Sequence, residues 1–305
     1  MDDFFDAESQ RRLGEYFSEI GKVLGYKKRQ ASFAIYAMGL LSSAERKSAE
    51  PIAALACPDP GAVDRQHQRL LHFLVDARWS DRDVRRLAVR HGMAAITAQE
   101  AIEAWIIDDT GFLKQGRHSV GVQRQYTGSA GKTANCQIGV SLSVSTRSQH
   151  LPVDFELYLP KCWTDDLGRR HEAHIPDEIV FKTKPELAID MLERAVEDGL
   201  PRGVLLADSA YGNDSYFRSE VRRLGLDYAV GIKSNTKVWR LDRLSRRRGD
   251  SVSVEKLAQQ AGREAFRRVT WRDGTKTELW SRFYMARVVP CRDDGIDPAQ
   301  REDVW

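Results

Sequence analysis

Two aspartates follow short apolar runs, and carboxylates so placed can hold a divalent cation. Ala104-Trp105-Ile106-Ile107 leads into Asp108-Asp109-Thr110, and Gly203-Val204-Leu205-Leu206-Ala207 leads into Asp208-Ser209-Ala210-Tyr211-Gly212. Apolar runs of four or five residues with β-branched members read as buried strands. A carboxylate at the carboxyl end of a strand projects into the crevice where open α/β sheets bind ligands. Two of them on neighbouring strands can share divalent metal, and paired metals catalyse phosphodiester chemistry. Aspartate is equally at home where a strand gives way to a turn or a helix cap. The residues by themselves leave both readings open.

The elements that must position these carboxylates come in three stretches. Residues 1–97 read as all-helical: Leu13, Tyr16, Phe17, Ile20 and Leu24 recur at helical spacing up to Gly25. Further helices are expected over 29–41, from Ser42-Ser43 to about residue 54, over 63–75 and over 80–91, the last capped by Ser80. The period then changes. Strands are expected over 102–107, 136–144 (Ile138, Val140, Leu142 and Val144 alternating) and 151–159, then a polar, His-rich loop over 163–178. A helix over 185–198, the strand ending at Asp208, a helix over 214–224 and a strand over 228–232 complete the order βββαβαβ. That order is α/β, a mixed sheet with helices on its faces. Beyond Lys233, strand-like runs at 266–271 and 277–288 flank Asp273-Gly274, a hairpin signal. The division is 1–97, 98–235 and 236–305.

Composition narrows the classes. The chain of 305 residues carries a net charge of +3. It has no apolar stretch near the roughly 20 residues of a membrane helix, and its acidic start, Asp2-Asp3, is no secretory signal. Cys57, Cys136, Cys162 and Cys291 form no CxxC pair, so reduced thiols and a cytoplasmic setting are expected. Basic residues gather at Arg222-Arg223, from Lys233 through Lys237 to Arg240, at Arg243, at Arg246-Arg247-Arg248 and at Arg267-Arg268. They suit phosphate contacts or an ordinary solvated face. Trp239, Trp271 and Trp280 in this region suit base stacking, but packing inside a small β-subdomain is the favoured reading. Gly128-Ser129-Ala130-Gly131-Lys132-Thr133 lacks the first glycine and the following helix of a P-loop, so no nucleotide cofactor is expected. His171 and His174 lack HExxH spacing, and His118 stands alone.

The local strings carry more. Asp108-Asp109-Thr110-Gly111-Phe112-Leu113-Lys114-Gln115-Gly116, Gln125-Tyr126-Thr127-Gly128 with Gly131-Lys132-Thr133-Ala134-Asn135-Cys136-Gln137, and Ala207-Asp208-Ser209-Ala210-Tyr211-Gly212 resemble the conserved blocks of bacterial insertion-sequence transposases of the insertion-sequence 701 type. These are Asp-Asp-Glu transposases with a ribonuclease-H-like core. The resemblance implies that Asp108 and Asp208 are the first two metal-binding carboxylates, for Mg²⁺ or Mn²⁺. Asp108 is preferred to Asp109 because Asp108-Asp109-Thr110 matches the family's Asp-any-Thr pattern. The implied partner is DNA, at insertion-sequence ends and targets, with a possible homodimer and no membrane. Lys114, Lys132, Lys233, Lys237 and Arg240 are candidates for DNA contact, and 1–97 for a DNA-binding unit. The sequence departs from the family at the third carboxylate, a glutamate on a helix after a β-rich insertion. Glu278 sits in the expected hairpin and Glu302 in a polar tail. The chain therefore reads as a transposase cut off at its carboxyl end and impaired. The alternative is a non-catalytic DNA-binding fragment acting as an inhibitor or relic. An aspartyl phosphatase would want Asp-any-Asp-any-Thr and is set aside.

Overall fold

Helical periodicity in the first hundred residues becomes five helices in the computed structural model, which describes residues 6–240, 251–275 and 277–291. α1 (Ala7–Leu24) is capped by Asp6, whose side chain accepts from Ser9 N, and it stops at Gly25, where φ is 79°. α2 (Lys27–Leu41) follows after two residues, Gly25 and Tyr26. The helix expected to open at Ser42-Ser43 starts later. Ser42 ends α2 instead, its Oγ donating to the Gly39 carbonyl, and α3 (Ala49–Ala56) begins after Ser48. α4 (Val63–Leu71) runs into one π-helical turn over His72–Asp76. α5 (Asp81–Thr97) is capped by Ser80, which accepts from Asp83 N. It outruns the expected 80–91 because Val89, Met93 and Ile96 continue a buried stripe against the sheet.

The central sheet contains β1 (Ala104–Leu113), β2 (Gln123–Thr127), β3 (Lys132–Ser145) and β4 (His150–Tyr158). After α6 (Lys161–Thr164), α7 (Leu167–Glu172) and α8 (Lys184–Glu197) come β5 (Val204–Ala207), α9 (Ser209–Gly212), α10 (Ser215–Arg223) and β6 (Tyr228–Val230). The order is β2-β3-β1-β5-β6, with β4 pairing the other half of the β3 edge. β1 is antiparallel to β3, while β1, β5 and β6 are parallel to one another. The fold is α/β around a mixed sheet, as expected.

In the central sheet and its connections, three details differ from the sequence reading. β1 does not end before Asp108, because β3 extends the ladder from Ala104↔Ser145 to Leu113↔Cys136. Asp108 and Asp109 are therefore inside a strand. β2 was not expected, since Gln-Arg-Gln-Tyr-Thr lacks apolar alternation; it forms by pairing residues 132–136 of β3, the stretch that β4 leaves free. The His-rich stretch is no plain loop. It holds α6 and α7, anchored by buried Trp163, whose indole N–H donates to the Val122 carbonyl at 2.9 Å.

Period-two alternation gives the sheet two unlike faces. Trp105, Ile107, Val140, Leu142, Val144 and Leu205 point one way, into a core shared with α5, α8, Tyr211 and α10. Arg85 and Arg194 clamp Asp154 of β4 between α5 and α8, and Arg194 also pairs with Glu156 at 2.6 Å. On the opposite face, Val204, Leu206, Phe112, Phe155 and Leu157 remain exposed. No described helix covers them.

The last stretch is β-rich. β7 (Lys237–Arg240), β8 (Val252–Ser253) and a final strand form a three-stranded sheet in which β7 is central; α11 (Val254–Gln260) follows β8. β9 (Arg267–Asp273) and β10 (Glu278–Phe283) form a hairpin after Asp273-Gly274, and β11 (Val288–Pro290) completes the smaller sheet. The run expected over 277–288 is thus two strands in different sheets, and Glu278 is in the hairpin. Arg243, Arg246-Arg247-Arg248 and Glu302 lie outside the described residues.

Gly212 sits where the turn after β5 meets β6. A Cβ there would stand 2.0 Å from the Gly231 carbonyl oxygen and 2.9 Å from Val230. Gly212→Ala should therefore destabilise the chain by about 3 kcal/mol, the upper range for forced overpacking, read as a lower midpoint in urea unfolding. A midpoint equal to wild type would show that the α9 turn and β6 do not approach so closely.

Candidate active site

β1 and β5 pair in parallel as Ile106↔Leu206 and Ile107↔Ala207, so the next positions are Asp108 and Asp208. Asp208 keeps extended backbone (φ −80°, ψ −175°), which carries strand geometry one residue past Ala207. Neighbouring strands lie about 5 Å apart, so the two α-carbons are at one-cation separation. Alternation settles the face. Ile107 and Leu205 are buried on the helix side, and Asp108 and Asp208 have the opposite parity, with exposed Leu206. Both carboxylates therefore belong to the open face.

Each has a local anchor. Asp108 Oδ1 accepts from the Asp109 amide at 2.8 Å, and Asp208 Oδ1 caps α9 by accepting from Ala210 N at 2.8 Å. Among the described residues neither Oδ2 has a hydrogen-bond partner. Opposite Asp108 on β3 stands Ser141, flanked on the same face by Gly139 and Ser143. These small residues leave the floor beside the carboxylates low.

Asp109 points the other way and does a different job. Its Oδ2 meets the Lys184 ammonium at 2.5 Å, with both side chains about three-quarters buried. Lys184 opens α8, whose start is set by a capping box between Thr183 and Glu186 and by Pro185. Nothing in the sequence marks Lys184, because its partner is 75 residues away.

Tyr211 also went unmarked as a site residue. It is 1% exposed, and among the described residues its hydroxyl has no hydrogen-bond partner. Burial pushes its ionisation well above the ordinary tyrosine range, and the charges of Asp109, Asp108 and Asp208 push it further. A buried hydroxyl without a partner costs about 1–3 kcal/mol.

These features bear on whether a metal fits. Two negative charges about 5 Å apart repel by roughly 1 kcal/mol even in water. The donors are all oxygens, which suit Mg²⁺ or Mn²⁺. Among the described residues no cluster of three or more His, Cys, Asp or Glu that could hold a metal is found. The site fits one ion held by two carboxylates.

The cationic candidates scatter. Lys233 is brought to the site's end of the sheet: its amide donates to Asn213 Oδ1 at 3.0 Å, and the neighbouring Gly231 amide donates to the Ala207 carbonyl at 2.9 Å. Lys114, six residues beyond Asp108, is roughly 20 Å along the strand. Lys132, nine residues from Ser141 on β3, is further still, at the β2–β3 turn. Lys237 and Arg240 are exposed in the smaller sheet. Arg223 is neutralised by Glu193 and Glu220. Packing inside a small β-subdomain is wrong for Trp271 and Trp280, which are 56% and 49% exposed. Among the described residues no layer packs on either face of their two-stranded hairpin, and the Arg268 guanidinium stacks on Trp280 at 4.4 Å.

The DDE superfamily endonuclease profile matches residues 19–278 of this chain. A protein of Microchaete diplosiphon named "Probable transposase for insertion sequence element IS701" is 31% identical over 199 residues, 65% of this chain and 47% of its own length. The chain spans about half the length of that relative.

Removing the Tyr211 hydroxyl separates packing from site chemistry. In metal-free buffer Tyr211→Phe should be as stable as wild type or up to about 1 kcal/mol more stable, since no bond is lost and a desolvated group is removed. Urea unfolding measures this, and a loss above about 1 kcal/mol would mean that the hydroxyl has a protein partner.

Proposed function

The chain belongs to the DDE superfamily endonucleases, and on that footing we propose that it derives from an insertion-sequence transposase in which Asp108 and Asp208 hold a catalytic divalent ion. The observation that carries this is the in-register β1–β5 pairing, with both aspartates one step past Ile107↔Ala207. A bound Mg²⁺ or Mn²⁺ would supply Lewis-acid stabilisation and a water of lowered pKa. The chain's own residues do the positioning. Asp108 is held by the β1–β3 ladder, Asp208 by its cap on α9, and Asp109 is kept from the ion by Lys184. Lys233 stands ready for a phosphate at the same end of the sheet. The substrate is DNA, at the ends of an insertion sequence and at its target. The division into a helical DNA-binding unit over 1–97, a core over 98–235 and a β-rich stretch over 236–305 belongs to this proposal.

The absence of a third carboxylate beside Asp108 and Asp208 among the described residues favours weak or no strand transfer by this polypeptide alone. It equally favours the second reading, a DNA-binding fragment that occupies transposon ends without cutting them. A cleavage assay on terminal-repeat DNA with Mg²⁺ or Mn²⁺ separates the outcomes. Little turnover together with salt-sensitive binding is expected, and robust turnover would refute the impairment.

Metal titration tests the residue assignment. Calorimetry with Mn²⁺ should detect one weak site that Asp108→Asn or Asp208→Asn weakens at least tenfold, about 1.4 kcal/mol. Asp109→Asn should leave it within about threefold, less than 1 kcal/mol. A reversed order for Asp108 and Asp109 would overturn the assignment.

A further inference from the structure

We propose that the groove between α2 and α4 is the surface by which this chain holds the backbone of duplex DNA, with Arg65, Arg69 and Arg78 as its main phosphate contacts. The choice of a nucleic acid rests on the function proposed above; the location rests on observations of its own. The groove is a cavity of about 1230 Å³ lined by Lys27, Lys28, Arg29, Arg65, Arg69 and Arg78 against a single carboxylate, Asp76. The whole chain carries a net charge of only +3, so this surface concentrates positive charge that the rest of the molecule offsets.

Five arginines elsewhere in the fold, Arg11, Arg85, Arg86, Arg194 and Arg223, are neutralised by neighbouring carboxylates. Among the described residues, Lys27, Lys28, Arg65, Arg69 and Arg78 form no ion pair, and all five are exposed. Asp76 is already engaged by His72 at 3.1 Å. Like charges gathered this way repel, and a polyanion relieves the repulsion by exchanging its counterions for them.

The spacing suits an evenly charged backbone. Arg65 and Arg69 are one turn apart on α4, about 5–6 Å between β-carbons. Two phosphate steps of one strand advance roughly 7 Å along the duplex axis. Behind the cations the floor is apolar, with Ala31, Ile35, Phe73 and Ala77, and Tyr26 stands 72% exposed at the rim. Both walls are helices whose backbone groups are satisfied internally, so no strand edge is offered to an extended peptide. Recognition is left to long cationic side chains, which favours DNA over an acidic protein.

The test uses the full chain and a fluorescent duplex of about two helical turns, with binding followed by anisotropy between roughly 50 and 200 mM salt. Arg65→Gln/Arg69→Gln/Arg78→Gln should lose more than tenfold in affinity, and its log–log salt slope should be shallower by about 2.7. Arg12→Gln/Arg147→Gln/Lys256→Gln removes equal charge elsewhere and should change the slope by less than about 1. Arg65→Glu alone, a single exposed change, repeats the direction of the effect if the triple variant folds poorly. Equal losses in the two triple variants, or a groove variant with the wild-type slope, would overturn the groove assignment while leaving the proposed function standing. Poly-glutamate displacing the duplex from the groove at equal charge would give the surface to an acidic protein and overturn it too. Failure of the wild-type chain to bind any duplex would sink the proposed function itself.

Discussion

Everything at the candidate site depends on the register of β1 against β5. Strand side chains alternate with a period of two, so a slip of one residue would turn Asp208 toward the helices and leave Asp108 alone on the open face. The register is held where the two strands enter the sheet. At the entry, Val204 N donates to the Glu103 carbonyl at 2.9 Å. A side chain at Gly203 would meet the Glu103 backbone at 2.8 Å, so only glycine lets the strands meet there. Beyond β5, Gly212 packs on the Gly231 carbonyl, and Asn213 reaches the Lys233 amide and the Thr236 hydroxyl, which ties the turn after Asp208 to β6 and the segment that follows it.

The same alternation divides labour between adjacent aspartates. Asp109 faces the helices, where an unpaired carboxylate would be costly, and Lys184 at the head of α8 neutralises it. Asp108 faces outward, where among the described residues one oxygen remains unengaged. The hydrophobic core that fixes α8 against β3 and β1 thus also fixes the ion pair that keeps Asp109 occupied. The open face, with Phe112, Phe155, Leu157 and Leu206 exposed around the carboxylates, is the surface that substrate or further protein must approach.

The parts legible in the sequence were those with strong local signals. The alternation of Ile138, Val140, Leu142 and Val144 marked β3, Pro185 and Gly199 bracketed α8, and Ser80 announced α5. The two aspartates followed from the apolar runs before them. What stayed hidden depends on partners distant in the chain. β1 continues past Asp108 only because β3 is long enough to pair with it. β2 is a strand by virtue of its neighbour. Lys184 and Tyr211 matter through contacts 75 residues away or through burial. Trp271 and Trp280 read as core residues by type, yet among the described residues no layer packs on their hairpin. The groove between α2 and α4 gathers Lys27, Lys28, Arg65 and Arg69 from segments that look like separate solvated helix faces.

The central claim is that the carboxylates of residues 108 and 208 meet at one cation. The most direct measurement is anomalous scattering at the manganese edge from crystals of the chain soaked in Mn²⁺. The account predicts a peak on the open face of the sheet, between the two side chains and about 2.1–2.2 Å from an oxygen of each. A peak ligated by Asp109 instead, or none near either side chain at saturating metal, would contradict it.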